Sequence, residues 1–270
     1  METESFFLWA GLVTYVIAGS LAIVALIFNK RPERVILTLL LVGLVLHGYS
    51  IGLRWDRLGH GPFTDMYEIL SSNIWSLLMV FAIAYWRIPL IRPVAVIVLP
   101  VMYIMMAWIL MVPHQDTLLP PTYNTIWLYV HIGFGKIFLG SLLMALGLAI
   151  CVLLREMGTA QQLLQRLPNN GSLDELAYRF VMLALVFDSL MLIAGGIWAQ
   201  DAWGRYWAWD PLETWSFVTW VLLALVVHVR LTFKLSYWTN ALIVVVVFII
   251  SFMTFFGIPF ISTLPHKGVV

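Results

Sequence analysis

Charged residues and cysteines are both scarce in this chain of 270 residues, and each shortage excludes a class of protein. Charged residues make up 11% of the sequence, whereas soluble domains carry about 25%. Cys151 is the only cysteine, so no disulfide framework, CxxC redox pair or thiolate metal site can form within one chain. The net charge of +1 gives no argument for nucleic-acid binding. With 62% hydrophobic residues, the composition predicts an integral membrane protein.

The N-terminus lacks the basic segment that opens a signal peptide. It reads METESFFLW, which is acidic, and the apolar run behind it is too long for a signal peptide. We therefore expect the first hydrophobic segment to be retained as a membrane helix.

Long hydrophobic runs recur along the whole chain. A membrane-spanning helix needs about 20 apolar residues. The segments that meet this requirement are 6–28, 35–53, 67–86, 90–112, 125–154, 177–199, 214–233 and 239–261. The predicted fold is an all-α, polytopic integral membrane bundle of about eight transmembrane helices, forming a single domain over 1–270. The segment 155–176, which contains PNNGS, is predicted to be a short polar linker.

Lysine and arginine are unevenly distributed between the predicted loops, and this bias predicts the orientation. The richer side holds Lys30, Arg31, Arg34, Arg87, Arg92, Arg155, Arg166, Arg179, Arg230 and Lys234. The poorer side holds Arg54, Arg57, Arg205 and Lys267. The positive-inside rule places the richer side in the cytoplasm, so both termini and the loop at 200–215 are predicted to be external.

That external loop is unusually rich in aromatic residues. The stretch from Trp203 to Trp215 reads WGRYWAWDPLETW and joins two predicted spans. A flat aromatic surface beside a membrane suits a flat, apolar ligand. The alternative is an interfacial aromatic belt, because Trp and Tyr gather at the headgroup level. A belt does not require this density of rings, nor the Gly, Arg and Asp-Pro among them, so a ligand site is the favoured interpretation.

Histidines are the remaining candidate metal ligands, because neutral imidazole is a standard ligand of haem iron. Three lie within predicted spans: His47, His131 and His228. Ionisable residues inside a membrane are costly and usually functional, which favours a role for His47 and His228. Three lie in outer loops or in the tail: His60, His114 and His266. For a loop histidine, an ordinary polar surface residue is the simpler interpretation.

The aromatic loop also carries a resemblance. The pattern WGxYWxWDP followed by ETW resembles the Trp-rich, haem-handling motif of the cytochrome c assembly family, nearest to its CcsA/ResC type. The segment GLRWDRLGHGPFTDMYEILSSNIWS is similar to the GHFPLSNLYESL region of that family, with Thr64 and Asp65 replacing Ser and Asn. The resemblance covers about residues 47–267, which is nearly the whole chain.

The resemblance implies three haem ligands. It places external ligands at His131, within WLYVHIGFG, and at His266, within ISTLPHKG. It associates His228, within WVLLALVVHVRL, with haem inside the membrane, where the second ligand comes from a partner protein. His47 is the alternative second ligand for His228. The aromatic residues expected to contact haem are Trp203, Tyr206, Trp207 and Trp209.

The polar residues of the loop have two possible roles each. Arg205 is a candidate partner for a haem propionate, with a lipid headgroup contact as the alternative. Arg54 and Arg57 are weaker candidates for the propionate. Asp210 is in the set of haem-site candidates, but Asp210-Pro211 has the pattern of an N-cap and first helical turn, and we favour that structural role. Trp198 and Trp220 are as consistent with packing as with haem contact.

Two charges fall near the middle of the membrane. Lys136 lies in the fifth predicted span and Asp188 in the sixth, each roughly 16 Å from the nearer helix end at 1.5 Å per residue. The sequence predicts an interhelical ion pair between them. Cys151 is expected to be a packing residue.

The resemblance implies a function in cytochrome c assembly. The chain would bind haem b as cargo and present it at the outer face of a bacterial cytoplasmic or thylakoid membrane. With a CcsB/ResB-type membrane partner, it would attach the haem to the CxxCH cysteines of apocytochrome c, as the haem-handling subunit of a holocytochrome c synthase. A haem-binding regulator of the HemX type, without synthase activity, is the alternative. A small-molecule transporter is a third hypothesis, but it leaves the aromatic loop unexplained.

Overall fold

The structure, a computed structural model, describes residues 2–158, 164 and 167–258, and these residues contain helices and no strands. Eight helical segments among them are long and apolar enough to cross a membrane. The helices are α1 (Glu2–Ile27), α2 (Glu33–Leu58), α3 (Met66–Arg87), α4 (Ala95–Ile109), α5 (Ile126–Glu156), α6 (Asn170–Trp203), α7 (Pro211–Thr232) and α8 (Tyr237–Phe252). The predicted all-α membrane bundle is therefore confirmed, while the orientation of the termini stays a prediction.

The chain divides into two compact units. Unit 1 comprises Met1–Leu119 with Ala160–Leu167, and unit 2 comprises Pro120–Thr159 with Pro168–Val270. In unit 1, α1 packs on α2 and α4, and α3 packs on α2 and α4. In unit 2, α5 is the central helix, with α6 and α8 packed along it. The midsection of α5 is buried on every side by neighbouring helices, which agrees with its apolar residues all round. Among the spans, α7 is the most exposed.

Side-chain caps explain where several helices begin. Asp65 accepts a hydrogen bond from the backbone N–H of Glu68 and starts α3. Asn169 accepts one from the N–H of Ser172, so α6 begins at Asn170, inside the segment predicted to be a polar linker. Asn and Asp are preferred at this position because their side chains satisfy an unpaired N–H of the first turn.

Two spans contain irregular turns. The fourth span opens with a 3₁₀ turn, Pro89–Val94, before α4 begins. Prolines at both ends of that turn favour it, since each lacks the N–H that an α-helix interior needs. The last span ends in a π-helical turn, Met253–Gly257. The predicted spans 90–112 and 239–261 are thus present, but neither is a regular α-helix throughout.

The predicted ion pair between Lys136 and Asp188 is wrong. Asp188 is fully buried, and neither carboxylate oxygen has a hydrogen-bond partner among the described residues. No ion pair between these two residues is present in the part of the chain that the structure describes. Counting residues from the helix ends gives the depth of a side chain, but it does not give the direction in which that side chain projects from its helix.

Candidate functional site

The aromatic loop of unit 2 connects α6 to α7 and is held by local hydrogen bonds. Gly204 ends α6 in the left-handed conformation, with φ of 78°, and its N–H bonds to the carbonyl of Gln200. Glycine is favoured there because it has no side chain to clash in that conformation.

The other end of the loop is tied by two carboxylates. Asp210 caps α7 by accepting from the N–H of Glu213, and Pro211 occupies the first helical turn. The Glu213 carboxylate reaches back and accepts from the N–H of Ala208 at 2.7 Å. These reciprocal bonds satisfy backbone donors on both sides of the turn. The structure therefore gives Asp210 and Glu213 the structural role that their sequence pattern favours.

Between these bonds, Trp209 adopts an unusual backbone conformation. Its φ is 59°, a left-handed value that is uncommon for a bulky residue and costs free energy. Its ring makes edge contacts with Trp207 and Phe217, at 5.6 and 6.0 Å between centroids. Trp209 remains 64% exposed. The loop thus holds a large aromatic surface toward the outside of unit 2 in a conformation that the backbone alone does not favour.

His131, on α5, lies beside this loop. Its Nδ1 is 2.8 Å from the main-chain carbonyl of Met191 on α6. Because a carbonyl oxygen only accepts, Nδ1 carries the proton and the lone pair lies on Nε2. A histidine that binds a metal usually donates its other ring N–H to a carbonyl or carboxylate, which holds the ring in one tautomer and orientation. The hydrogen bond of His131 is thus of the kind that a metal-binding histidine makes.

Gly195 allows this close approach. A methyl group at Gly195 would lie 2.7 Å from Nδ1 of His131, which is shorter than any normal contact of a Cβ atom. The neighbouring Gly196 also lines the site, but a methyl group there would meet only the carbonyl oxygen of Tyr206, at 3.4 Å. Thus Gly195, which sequence reasoning did not identify, lets the imidazole lie directly against α6.

Three aromatic residues form a cluster, and one of them stacks on the imidazole. The ring of Trp198 is nearly parallel to His131, with an interplanar angle of 13° and 6.1 Å between centroids. Trp198 donates its indole N–H to the carbonyl of Tyr123 and contacts Trp203 edge-on at 4.9 Å. Tyr123 packs against both tryptophans. Sequence reasoning left the role of Trp198 open and did not select Tyr123, which lies outside the aromatic motif.

A cavity of about 130 Å³ adjoins these residues. Pockets that enclose small molecules are usually about 300–1,000 Å³, so a haem would be enclosed only along part of its edge. Its lining includes His131, Trp198, Trp203, Tyr206 and Trp207. Tyr206 is 63% exposed. The rest of a porphyrin would lie against the exposed aromatic rings.

The buried indole N–H of Trp207 forms no hydrogen bond with the described residues. A buried donor without an acceptor costs roughly 1–3 kcal/mol. Because Trp207 lines the cavity, a ligand with an acceptor group could bond to this N–H.

The other predicted loop residue is accessible. Arg205 is exposed and forms no ion pair with any residue between 2 and 258 that the structure describes. It remains a candidate partner for an anionic group of a ligand. His266 lies outside the described residues.

His228 lies on α7, also in unit 2, but it is not part of this cavity. Its side chain is exposed, and it shares a helix face with Val221 and Leu225, which are 42% and 51% exposed. It lies 17 residues after Pro211, which is about 25 Å along the helix axis. An ionisable side chain that faces lipid is costly, so the exposure of His228 on an apolar face is unusual.

His47, in unit 1, is packed in the interior. It is 0% exposed, and its Nε2 lies 2.9 Å from the hydroxyl of Ser71. The ring of Tyr15 lies 6.1 Å away. Gly11 contributes to the tight packing, because a methyl group there would be 3.0 Å from Cβ of His47. These contacts favour a structural role for His47.

The last turns of α2 carry the centre of a second cluster of polar groups, which we call the Arg54 network. Arg54 is only 4% exposed, and it binds the carboxylates of Glu68 at 2.8 Å and Glu4 at 3.2 Å. It also donates to the carbonyl of Gln115 at 2.6 Å. Its guanidinium is therefore committed within unit 1, which argues against the predicted contact with a propionate.

Further residues extend the Arg54 network. Thr64 donates both its N–H and its hydroxyl to Glu68. Arg57 binds Glu4 and Asp116. Burial raises the pKa of Asp65, the residue that caps α3 beside Arg54. The network joins the start of α1, the end of α2, the start of α3 and the segment near 115 into one arrangement.

His60 corrects the interpretation of the loop histidines. It is 5% exposed, and its two ring nitrogens lie 2.9 Å from the carbonyl of Gly61 and 2.8 Å from that of Thr117. The prediction of a surface residue was wrong for His60, because two loops fold over it. His114 is partly exposed, packs against Tyr67 and lies 3.1 Å from Arg54.

Comparison with known proteins adds independent findings. The family described as cytochrome C assembly protein matches residues 63–266. The chain is 28% identical to the cytochrome c biogenesis protein CcsA of Atropa belladonna over 236 residues, which is 76% of each protein. It is also 28% identical to CcsA of Chlamydomonas reinhardtii over 260 residues, covering 92% of this chain and 72% of the relative.

A solved structure shares the fold. The chain described as cytochrome c Heme Lyase CcmF matches with a TM-score of 0.69 and 18% identity. The match covers 94% of this chain but only 46% of that one. At this identity the likeness concerns the fold alone.

Proposed function

Because this chain belongs to the cytochrome c assembly protein family and so acts in cytochrome c biogenesis, we propose that it binds haem at the His131 cavity and presents it to apocytochrome c. The observation that carries the proposal is the hydrogen bond from Nδ1 of His131 to the Met191 carbonyl. That bond orients the imidazole and directs the lone pair to Nε2, as iron ligation requires.

The aromatic loop would orient the porphyrin. Trp203, Tyr206, Trp207 and Trp209 offer ring surfaces for a flat ligand, and Tyr206 and Trp209 extend this surface beyond the cavity. Arg205 would pair with a propionate. The indole N–H of Trp207, which has no acceptor among the described residues, would donate to a propionate oxygen. Together these groups would define the plane and the edge of the haem, with His131 defining the position of its iron.

His266 is the proposed second axial ligand, on the strength of the family pattern. Two histidines would hold the iron until the histidine of a CxxCH segment displaces one of them. The thiols of that segment add across the haem vinyl groups: each S–H bond is broken, a carbon–sulfur bond forms, and the hydrogen goes to the second vinyl carbon. The role of this chain is positioning, which lowers the barrier by fixing the reacting groups relative to each other.

A membrane partner of the CcsB/ResB type is part of the proposal. The connection from residue 110 to residue 125 is short, so it does not supply a domain that would hold apocytochrome c. The exposed His228 face of α7 is the proposed contact for haem inside the membrane, with the second ligand coming from the partner. Haem b would then move outward from His228 to His131.

Removal of the His131 imidazole tests the haem site. We expect His131→Ala, purified with its co-expressed partner, to lose the absorption spectrum of bis-histidine haem and to abolish cytochrome c maturation. Added imidazole should restore part of both, by occupying the vacated axial position. His114→Ala is the matched control, since His114 belongs to the Arg54 network, and it should keep the haem spectrum.

The possible results separate the alternatives. An unchanged spectrum and normal maturation in His131→Ala would remove His131 from the site. Haem binding that depends on His131, combined with normal cytochrome c output after deletion of the whole protein, would indicate a regulator of the HemX type. His228→Ala should lower the haem content of the outer site without changing association with the partner.

Reporter fusions test the orientation. The excess of Lys and Arg predicts that residue 158 faces the cytoplasm and that the aromatic loop and the C-terminus face outward. A reporter at residue 158 should behave as cytoplasmic, and one fused after the last residue as external. The opposite pattern would contradict haem presentation at the outer face.

A further inference from the structure

A second cavity lies at one end of unit 1, far along the chain from the aromatic loop. It has a volume of about 290 Å³ and lies where α1 ends, α2 begins and the 3₁₀ turn precedes α4. Its charged lining residues are Lys30, Arg31, Glu33 and Arg92. Its apolar lining includes Ala22, Ala25, Leu26, Ile36 and Val96. A cationic side and an apolar side thus share one cavity.

The chain turn between α1 and α2 leaves the cationic side chains available. Asn29 has φ of 59°, and the N–H groups of Asn29 and Lys30 bond to the carbonyls of Leu26 and Ala25. This is the backbone pattern that closes a helix C-terminus. Because backbone donors already satisfy these carbonyls, the side chains of Lys30 and Arg31 are not needed to cap α1.

Charge in the cavity is unbalanced. The Glu33 carboxylate binds Arg92 at 2.5 Å, and Arg92 also donates to the carbonyl of Tyr85. Lys30 and Arg31 form no ion pair with any residue in the described ranges 2–158 and 167–258. Among the described residues of the lining, Glu33 is the one carboxylate and it is already paired, so Lys30 and Arg31 have no counter-charge there.

Neighbouring residues mark the level of the lipid headgroups. Trp86, next to Tyr85 of the lining, is 57% exposed, and the guanidinium of Arg87 lies 4.5 Å from the centre of its ring. Exposed tryptophan and arginine at a helix end are typical of the membrane–water interface. A shallow depression lined by Arg31, Glu33 and Arg34 adjoins the cavity and extends the cationic surface.

We propose that this cavity binds the phosphate-bearing headgroup of an anionic phospholipid. Lys30 and Arg31 hold the phosphate, while Arg92 shapes the cavity through its bond to Glu33. The apolar lining, together with the exposed Ile27 and Phe28 at the end of α1 and just after it, receives the start of the acyl chains. Basic pockets between membrane helices on the cytoplasmic side suit such headgroups. This assignment does not depend on haem binding.

The apolar lining decides between a lipid and a free anion. A free phosphate ion would use only the cations and would leave the alanine and leucine surface without a partner. A phospholipid uses both surfaces, because its phosphate lies at the interface and its chains lie in the apolar region. Each basic residue near a membrane surface contributes about fivefold to the affinity for anionic lipid.

Lipid exchange on the full-length protein tests the proposal. The protein, with its partner, is exchanged into nanodiscs of phosphatidylcholine doped with phosphatidylglycerol, and retained lipid is measured by native mass spectrometry after release. We expect selective retention of phosphatidylglycerol by the wild type. The double variant Lys30→Gln, Arg31→Gln should retain it about 30-fold more weakly. The control Arg179→Gln, Lys234→Gln, which removes two exposed cations of unit 2, should match the wild type.

A second variant tests the cavity with its cations intact. Ala25 is 6% exposed and lines the cavity, so Ala25→Leu should fill part of it and release the lipid. Equal retention of phosphatidylcholine and phosphatidylglycerol by the wild type would overturn the proposal, and so would equal losses in the control variant. Displacement of phosphatidylglycerol by inorganic phosphate would reassign the cavity to a free anion, and displacement by haem would reassign it to haem.

Discussion

The Arg54 network and the His131 cavity are built from similar residue types, but they differ in whether their buried donors have acceptors. In the Arg54 network, a buried guanidinium is matched by the carboxylates of Glu4 and Glu68, and Thr64 supplies further donors to Glu68. In the His131 cavity, the indole N–H of Trp207 has no acceptor among the described residues. The buried N–H groups of Arg54 are thus bonded within unit 1, whereas the buried N–H of Trp207 is not bonded within the described residues.

Backbone conformation shows the same contrast. Asp65 begins α3 with an ordinary extended conformation and a bonded cap. Trp209, in the aromatic loop, has a positive φ that a bulky residue rarely adopts. Strain of this kind is usually retained where it serves a function. The presence of histidine, arginine and carboxylate in one cluster therefore does not by itself indicate a ligand site, because these groups can bond to one another.

Removing the central charge of the Arg54 network should have the largest effect. Arg54→Met leaves Glu68, which is 0% exposed, with a buried charge and no cation. Breaking a buried ion pair in this way costs about 3–5 kcal/mol. We expect a large loss of folded protein, measured by fluorescence-detected gel filtration after heating. Arg57→Met, at a side chain that is 29% exposed, is the control and should lose much less. Equal losses would show that burial of Arg54 is not the cause.

A single methyl group in the wall of the cavity should weaken haem binding without unfolding the protein. Gly195→Ala places Cβ against Nδ1 of His131 and displaces the ring from the Met191 carbonyl. Loss of such a supporting hydrogen bond typically reduces metal affinity about 10–100-fold. The rate of haem transfer to apomyoglobin measures the change. Gly196→Ala, where the added methyl has room, should behave like the wild type. Similar rates for both variants would show that Gly195 does not control the position of the His131 ring.

Removing only the indole N–H of Trp207 should have a smaller effect. Trp207→Phe keeps an aromatic ring but no donor, and one hydrogen bond contributes about fivefold to affinity. We expect haem to dissociate about fivefold faster in the same assay. Trp220→Phe is the control, because Trp220 donates to Ser189 outside the cavity lining. Unchanged haem dissociation together with increased thermal stability would mean that the N–H of Trp207 serves no ligand.

The exposed edge of the Arg54 network should contribute least. A hydrogen bond from Arg57 lowers the pKa of Asp116, whose side chain is 51% exposed. Because the folded pKa is depressed, the stabilisation is present above the unfolded pKa of about 3.9 and is lost as the pH falls through the folded value. Asp116→Asn should therefore differ slightly from the wild type in thermal stability at neutral pH and not at all in strong acid. A difference that grows with acidity would contradict this pairing.

Local sequence patterns predicted the features that depend on near neighbours. The spans followed from runs of apolar residues, and their number is confirmed. The cap formed by Asp210 and Pro211 followed from their order in the chain, since its bonds join residues only a few positions apart. The existence of an aromatic loop between two helices was predictable for the same reason.

Features that depend on helix rotation and on distant contacts were not predictable. Lys136 and Asp188 were placed at similar depths, yet Asp188 forms no bond to Lys136. His60 looked like a surface residue, but Thr117, 57 positions away, folds over it. The partner of His131 is a main-chain carbonyl 60 residues later. Every residue has such a carbonyl, so the residue types do not indicate which one is the partner.

The amino-acid sequence by itself determined that this chain is a membrane bundle, where its helices run and which loop carries the aromatic surface, because these properties depend on hydropathy and on hydrogen bonds between near neighbours. Only the tertiary structure decided that Arg54 is paired with buried carboxylates, that Gly195 leaves room for the His131 ring, and that Lys30 and Arg31 line a cavity. Those outcomes depend on which faces of separate helices meet, and packing sets those faces only when the helices assemble.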